Sequence, residues 1–557
     1  MKNLTADVVV IGGGGTGAGI LRDLAMRGYH TILVERADLA QGTSGRFHGL
    51  LHSGARYVVS DPISALECAE ENQILRRIHP HAIEETGGLF VTAPPDSEEY
   101  ADGFLTAAQK AGVFAEEIPV AAALQLEPRL NPGIKRAFSV LDGAMDGWRI
   151  VWDCVASARE YGSEALTYHR VTGIEARGDF DFTVTCLAEK TGEEVRIDAR
   201  GVVNAAGPWA GEVATLAGCH GVDVVPGRGI MVAMNHRLTD RVINRCIYPG
   251  DGDILVPAHT VSIIGTTDKP AKSPDFLTIP DTEVQEMLDA GEVLIPGFRQ
   301  SRAVHVWAGA RPLIKDSRVS ADDTRHMSRN MSVIDHGERD GVPGMFTIAG
   351  GKYTTYRLMA EKVVDTLLAA FGEHKPCRTA QEAMPSTAPS RTHRNSDRLA
   401  AREADRCEEQ IICECELANR AMIAAVLAEQ PTANLDDIRR RTRLGMGPCQ
   451  GTFCAARAAG ILYETTHDRL GETEAADRTS TMLRLFLRNR LGGVAPLLYG
   501  EQLHEAVLNQ WVVSGTLDVD HLLAPGEAAR LATGDIATIY GIPQPENTEA
   551  ETTGDGQ

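Results

Sequence analysis

Four cysteines late in the chain fall in two tight pairs, Cys413-Glu414-Cys415 and Cys449-Gln450-Gly451-Thr452-Phe453-Cys454, with 33 residues between them. Thiolates so arranged can converge on one inorganic site. Gly445, Gly447 and Gly451 give the backbone the freedom to turn N–H groups towards sulfur. Zinc and an iron–sulfur cluster both accept four thiolates, and unligated cysteines are the third alternative. Structural zinc favours wider pair spacings, so the C-x-C pair is an awkward zinc chelate. Cys407, six residues upstream of Cys413, is left out of the set.

At the other end of the chain, Gly12-Gly13-Gly14-Gly15-Thr16-Gly17 satisfies G-x-G-x-x-G through Gly12, Gly14 and Gly17. Gly12 permits a tight turn, Gly14 lets backbone approach a pyrophosphate, and Gly17 lets a helix pack closely on a strand. Phosphates then rest on the N–H groups of a helix N-terminus, where the dipole favours negative charge. Glu35, 18 residues after Gly17, is placed to accept hydrogen bonds from a ribose. The loop alone admits NAD or FAD, with a structural glycine turn as the bland reading. The stretch Gly42 to Tyr57 is dense in small, hydroxyl and cationic groups, which suits a segment closing over a pyrophosphate and a flavin ring.

Elements that position these groups are legible around them. Asp7–Ile11 (DVVVI) reads as a buried parallel strand, Ala18–Arg27 as a helix and Thr31–Glu35 as a second strand, together one β-α-β unit. Gly201–Trp209 is an apolar strand ending in a small-residue turn, and Gly344–Tyr356 a strand ending in paired glycines before a helix to about Phe371. From Cys377 to about Gln410 the composition turns to Pro, Ser, Thr and Arg and reads as a linker. Helical segments are expected at Thr481–Leu491 and Gln502–Val513, and the polar, acidic residues 544–557 as a disordered tail. The division expected is 1–376, a linker at 377–410, a cysteine module at 411–460, a helical region at 461–543 and the tail.

Three quoted segments resemble the D-amino-acid-oxidase-like flavoproteins: Gly42 to Tyr57, Asn204-Ala205-Ala206-Gly207-Pro208-Trp209, and Gly350 to Arg357. The resemblance implies an α/β and α+β fold, with a Rossmann-type FAD-binding domain and an interleaved substrate-binding sheet domain. It implies FAD contacts at Gly12, Gly13, Gly14, Gly15, Thr16, Gly17, Glu35, Arg36, Thr43, Ser44, Arg46, His48, Gly49, Leu51, Val171, Ala206, Gly207, Trp209, Gly351, Lys352 and Thr354.

Within that group, H-x-G-x-R-Y from His52, G-x-R-P-L around Arg311 and G-G-K-x-T-T-Y-R around Lys352 look like the FAD-dependent glycerol-3-phosphate dehydrogenases over about residues 5–365. The substrate implied is glycerol 3-phosphate, losing hydride from C2 to flavin N5. A phosphomonoester, about −2 in charge near pH 7, needs fork or point-charge cations. Arg56, Arg311 and Lys352 are candidates, with Arg329 a fourth; any one alone would more often be a surface salt bridge. His52 is the leading general base, against a histidine that only hydrogen-bonds flavin or substrate, and Tyr57 would orient the substrate. Arg311 and Lys352 complete the expected catalytic set. At Gly227-Arg228-Gly229 the chain departs from the family's commoner Lys-Gly-Ser.

The cysteine segment is similar to the bacterioferritin-associated-ferredoxin-like (BFD-like) [2Fe–2S] domain, down to the run Arg441 to Gly451. That implies a small helical domain with Cys413, Cys415, Cys449 and Cys454 as ligands, followed by a helical C-terminal segment. The multi-subunit, anaerobic branch of the dehydrogenase family carries this module, and Phe486 to Pro496 resembles its C-terminal region. Electrons would pass from FAD to the cluster, then to partner subunits and the quinone pool. The partners implied are a second catalytic subunit, plus an iron–sulfur membrane-anchor subunit.

Composition narrows the alternatives. The net charge of −21 argues against nucleic acid, which needs clustered Lys and Arg. No run of 18 apolar residues is present, so no direct membrane span is expected. Val8–Ile20 lacks a cleavage site after its apolar run, and the reading is a cytoplasmic protein, peripheral on the membrane's inner face through partners. Eleven cysteines, an odd number, argue against a disulfide framework. The rival readings are another 2-hydroxy-acid or amino-acid dehydrogenase with a fused [2Fe–2S] domain, and an electron-transfer protein without a substrate site.

Overall fold

The computed structural model describes residues 2–314, 330–385, 395–404 and 409–515. Arg329, Cys407 and the expected tail at 544–557 lie outside the described residues. The β-branched run near the N-terminus forms the end of the strand Lys2–Ile11, buried from Val8 to Ile11. This strand lies between Thr31–Glu35 and Glu193–Asn204, parallel to both. Met345–Ala349 joins the far end of Glu193–Asn204, again in parallel, with Val202 opposite Met345. Ile11, Glu35, Asn204 and Ala349 therefore end at one carboxyl edge, where a doubly wound fold leaves a crevice.

The helix Gly15–Met26 covers this sheet and is buried throughout from Gly17 to Met26. Its charged residues are satisfied inside. Arg27 pairs with Asp23 at 2.7 Å, and Arg22 donates to the Thr379 carbonyl at 3.1 Å and to that of Glu382 at 2.6 Å. The helix Tyr356–Ala370, expected to reach Phe371, packs in the same core through Val363 and Leu367. Arg22 also explains a departure from the expected linker. A buried guanidinium needs acceptors, and the chain after Cys377 supplies them before Met384 donates to the Ile78 carbonyl at 3.0 Å. Asn395–Ala404, in the same stretch, is a helix.

A second sheet is built around the long antiparallel pair Val224–Met234 and Ala303–Ile314, in register from Val224↔Ile314 to Ala233↔His305, with a shift before Met234↔Ala303. It also takes in Gly88–Thr92, Arg136–Val140, Val242–Arg245, Ile254–Ala258 and Val261–Gly265. The chain leaves the first sheet for this one and returns twice, so the two parts are interleaved. The C-terminal part opens with the hairpin Ile411–Cys413 and Ala418–Asn419, followed by helices Arg420–Glu429, Leu435–Thr442, Cys454–Leu470, Glu472–Val494 and Glu501–Asn509. The helix expected at Thr481–Leu491 lies inside Glu472–Val494.

Candidate active site and cysteine module

The crevice at the carboxyl edge holds a cavity of about 530 Å³, within the common range of cofactor sites, about 300–1,000 Å³. Of the residues expected to contact FAD, Gly12, Gly14, Gly15, Thr16, Glu35, Arg36, Thr43, Ser44, Arg46, His48, Val171, Ala206, Gly207, Trp209, Gly351 and Lys352 line it. Gly13, Gly17, Gly49, Leu51 and Thr354 stand behind its walls instead. The Gly13 amide donates to Glu35 Oε2 at 2.6 Å, which places the acid, and Thr354 Oγ1 accepts from the His52 amide at 3.1 Å. Leu51 is core, and Gly49 turns the chain at φ +87°. At Gly17 an added Cβ would stand 1.9 Å from the Gly12 carbonyl oxygen, so no side chain fits.

These residues fit FAD. The helix Gly15–Met26 starts at Gly14 with no acid in its first turn, so the positive end of its dipole faces the cavity. Ser44 Oγ accepts from the Gly15 amide at 2.9 Å and closes the loop from the other side. At one end of the cavity, Arg36 lies 4.3 Å over the Trp209 ring, and both donate to Asp275 Oδ1 at 2.8 and 3.0 Å.

The candidate substrate groups converge on the same cavity: His48, His52, Arg56, Tyr57, Arg311 and Lys352 all line it. Each cation has a fixed partner. Arg56 pairs with the fully buried Asp253 at 2.8 Å. Arg311 pairs with Asp268 at 3.2 Å and donates to Thr266 Oγ1 and to the Thr267 carbonyl. Lys352 Nζ donates to Ser64 Oγ at 2.7 Å and lies 4.8 Å over the Tyr57 ring. The His52 ring stands 5.3 Å from that of Tyr57. His48 is buried. Burial, with Arg56 and Arg311 nearby, pushes it down to about 3, so the ring is neutral. Its Nδ1 accepts from the Leu50 amide at 3.1 Å, which leaves the hydrogen on Nε2.

Asp253, Thr266 and Asp268 were not anticipated from the sequence. The only local signal was the Thr266-Thr267-Asp268 run after the apolar strand Val261–Gly265, small and hydroxyl-bearing like the stretch at 42–57. Arg228 is a buried structural cation, ion-paired with Glu283 and donating to the Thr278 carbonyl. Strand alternation turns Gly229 to the cavity in its place. Arg329 lies outside the described residues.

In the cysteine module, Cys415 Sγ and Cys449 Sγ are 3.7 Å apart, and Cys413 and Cys454 form a second hydrogen-bonded pair. Among the described residues, no three sulfurs of this set lie within 4.8 Å of one another. A tetrahedral zinc site would bring all of them within about 3.8 Å, from bonds of about 2.3 Å. Two pairs suit two metal centres instead. Cys413 and Cys449 lie low, at about 7 and about 6. Each is held so by its partner thiol, then by backbone amides: Gly445 and Glu416 at Cys413, and Phe453, Gly451 and Thr452 at Cys449. Such N–H···S donors stabilise cluster-bound thiolates. Gly447 is obligatory, since its Cβ would stand 2.3 Å from that of Cys415.

The module is docked on the flavin-binding part and on the second sheet by polar contacts. Arg440 pairs with Asp38 at 2.8 Å, Tyr168 donates to Asp437 at 2.5 Å, and Thr260 donates to Glu416 at 2.8 Å. Arg443 joins Glu416 at 2.9 Å to Asp146 at 3.5 Å. The next residue, Gly147, accepts at its carbonyl from Tyr353 of the cavity wall at 2.5 Å. A continuous packed route thus runs from cysteines to cavity.

Comparison with known proteins agrees with both halves. Residues 7–357 match the family described as FAD dependent oxidoreductase, and residues 411–464 the BFD-like [2Fe-2S] binding domain. The chain is 41% identical over 537 residues to a subunit of the anaerobic glycerol-3-phosphate dehydrogenase of Escherichia coli K12, covering 92% of this chain and 96% of that one. It is 38% identical over 552 residues to the corresponding subunit of the Haloferax volcanii enzyme, covering 94% and 92%. The FAD-complexed glycerol-3-phosphate dehydrogenase of Bacillus halodurans shares the fold, at TM-score 0.63 and 21% identity over 89% of this chain and 96% of that one.

Proposed function

This chain belongs to the FAD-dependent oxidoreductases and, within them, to the family formed by these subunits of anaerobic glycerol-3-phosphate dehydrogenases, and from that membership we propose that it oxidises sn-glycerol 3-phosphate to dihydroxyacetone phosphate. The observation that carries the reading is one shared cavity, with the Gly12–Gly17 phosphate cradle at its wall and His52, Arg311 and Lys352 lining it. FAD held by the Gly12–Gly17 cradle would supply the two-electron acceptor for the C2 hydride, and a [2Fe–2S] cluster on Cys413, Cys415, Cys449 and Cys454 would supply one-electron transfer.

The chain's own residues do the rest. Arg311 and Lys352 hold the phosphate, one as a fork and one as a point charge. Arg56 and Arg311 are each held by a buried acid, Asp253 and Asp268, and Arg56, the more enclosed of the two, adds positive field. His52 takes the C2 hydroxyl proton as the C–H pair departs and the carbonyl forms, so the proton moves to imidazole. His48, neutral with its hydrogen on Nε2, orients an oxygen acceptor. Tyr57 supports Lys352 from below.

No helix among the described residues is long and apolar enough to cross a membrane. The companions we propose are a second catalytic subunit, plus an iron–sulfur membrane-anchor subunit, which link this chain to the quinone pool at the inner face of the cell membrane.

Anaerobic addition of glycerol 3-phosphate is expected to bleach the flavin of the purified holoprotein. A flavin that stays oxidised with this substrate but is reduced by another hydroxy acid overturns the substrate assignment. Cys449→Ser is expected to keep FAD and substrate bleaching while losing the cluster's visible absorption. Retention of that absorption sinks the ligand set.

A further inference from the structure

The loop Cys449–Cys454 faces solvent on one side, where Phe453 is 63% exposed between two expected cluster ligands. Beside it ends the helix Glu501–Asn509, tied on by Asn509 Nδ2 donating to Thr452 Oγ1 at 3.4 Å. Gln502 donates to the Ala303 carbonyl at 2.8 Å, and Glu505 pairs with Arg302 at 2.9 Å. None of this helix's residues is buried. Leu508, and Trp511 and Val512 just beyond it, are 64%, 78% and 59% exposed. Polar side chains therefore fasten the segment while apolar ones face outward, the reverse of a helix laid on its own core. Exposed apolar side chains at positions 508, 511 and 512, a tryptophan among them, on a segment tied to the Cys449–Cys454 loop have the composition of an interface hot spot.

We propose that Phe453, Leu508, Trp511 and Val512 form the docking surface for the partner protein that takes electrons from the cysteine-held cluster. The inference rests on the function proposed above. Electron transfer falls steeply with distance, and a partner seated here is brought against the Cys449–Cys454 loop. The step balances simply: the cluster loses one electron, a one-electron centre of the partner gains it, and no bond forms or breaks. A lipid surface fits less well. The helix carries Glu501 and Glu505 and no Lys or Arg, whereas interfacial helices on anionic membranes are cationic on the polar face.

The test uses the full-length holoprotein with Leu508→Glu and Trp511→Glu together. Flavin bleaching by glycerol 3-phosphate, ferricyanide reduction and cluster absorption are expected within twofold of wild type. Quinone reduction with membranes from the source organism lacking this chain is expected to fall at least tenfold. Trp511→Ala, which adds no charge, is expected to show a smaller loss of the same kind. An unchanged membrane-linked rate in both variants overturns the proposal. So does a wild-type dimer that the double variant makes monomeric while that rate is kept, since the occupant is then a second copy. Binding of the wild type, but not the variant, to protein-free phosphatidylcholine–phosphatidylglycerol vesicles overturns it in favour of lipid. Failure of glycerol 3-phosphate to bleach the wild-type flavin is a separate result, which overturns the functional reading and this inference with it.

Discussion

Arg311→Ala is expected to lower kcat/KM for glycerol 3-phosphate about 10- to 150-fold, with FAD still bound. A hydrogen bond to a charged group contributes about 1.5–3 kcal/mol, and each 1.4 kcal/mol is about tenfold. The variant also leaves Asp268, 2% exposed, as a bare carboxylate beside an incoming phosphate. Arg311→Lys keeps the charge but loses the fork, and is expected to recover part of the activity. Arg56→Ala should cost more stability, because Arg56 is 10% exposed against 23% for Arg311. Its partner Asp253 is fully buried, and removing one member of a buried pair costs about 3–5 kcal/mol. That variant is expected to lose thermal stability as well as activity. Steady-state rates with a dye acceptor, alongside thermal melts, separate the two. A kcat/KM for Arg311→Ala within twofold of wild type sinks the phosphate assignment.

Gly17→Ala is expected to yield a chain that purifies without FAD. The added carbon would stand 1.9 Å from the Gly12 carbonyl oxygen. Gly12 has no room to retreat, because it sits at φ +110° with the Ala205 carbonyl 2.6 Å from where its own Cβ would be. Strand and helix must separate, and the helix N-terminus then leaves the phosphate position. Gly103→Ala is the control. That glycine is exposed inside the helix Glu99–Lys110, with nothing within 4 Å of an added Cβ. It is expected to keep FAD and to gain about 0.8–1 kcal/mol from helix propensity. Flavin absorption per chain reads both, and a yellow Gly17→Ala protein refutes the packing account.

The nucleotide loop, the strand–helix–strand unit, the cysteine pairs and the cationic motifs were legible because their signals are local. A glycine needed for close approach or an N–H cradle is recognised by neighbours a few residues away, and Gly12 to Gly17 and Gly447 keep that role in the fold. Resemblance then identified the flavin and the phosphorylated substrate. Electrostatic partners were not legible. Asp253 stands 197 positions from Arg56, and Asp268 meets Arg311 because Lys269–Pro270 and Ala303–Ile314 both pair with Val224–Met234, Pro270 and Arg311 each opposite Gly227. Arg228 shows the same limit from the other side, since strand alternation alone turned this cation, at a position where the chain departs from the family's commoner residues, away from the cavity and onto Glu283.

By itself the sequence determined that a dinucleotide-binding fold, a set of anion-seeking cations and a four-thiolate module share this chain. Only the tertiary structure decided which cations have their charge balanced by buried acids and which residues behind the walls shape the cavity. It alone docked the cysteine module against the flavin-binding part through Arg440–Asp38 and Arg443–Asp146. The physical reason is that spacing along the chain encodes backbone conformation. The effective charge of a side chain depends on neighbours brought to within a few ångströms by folding, at sequence separations that no periodicity records.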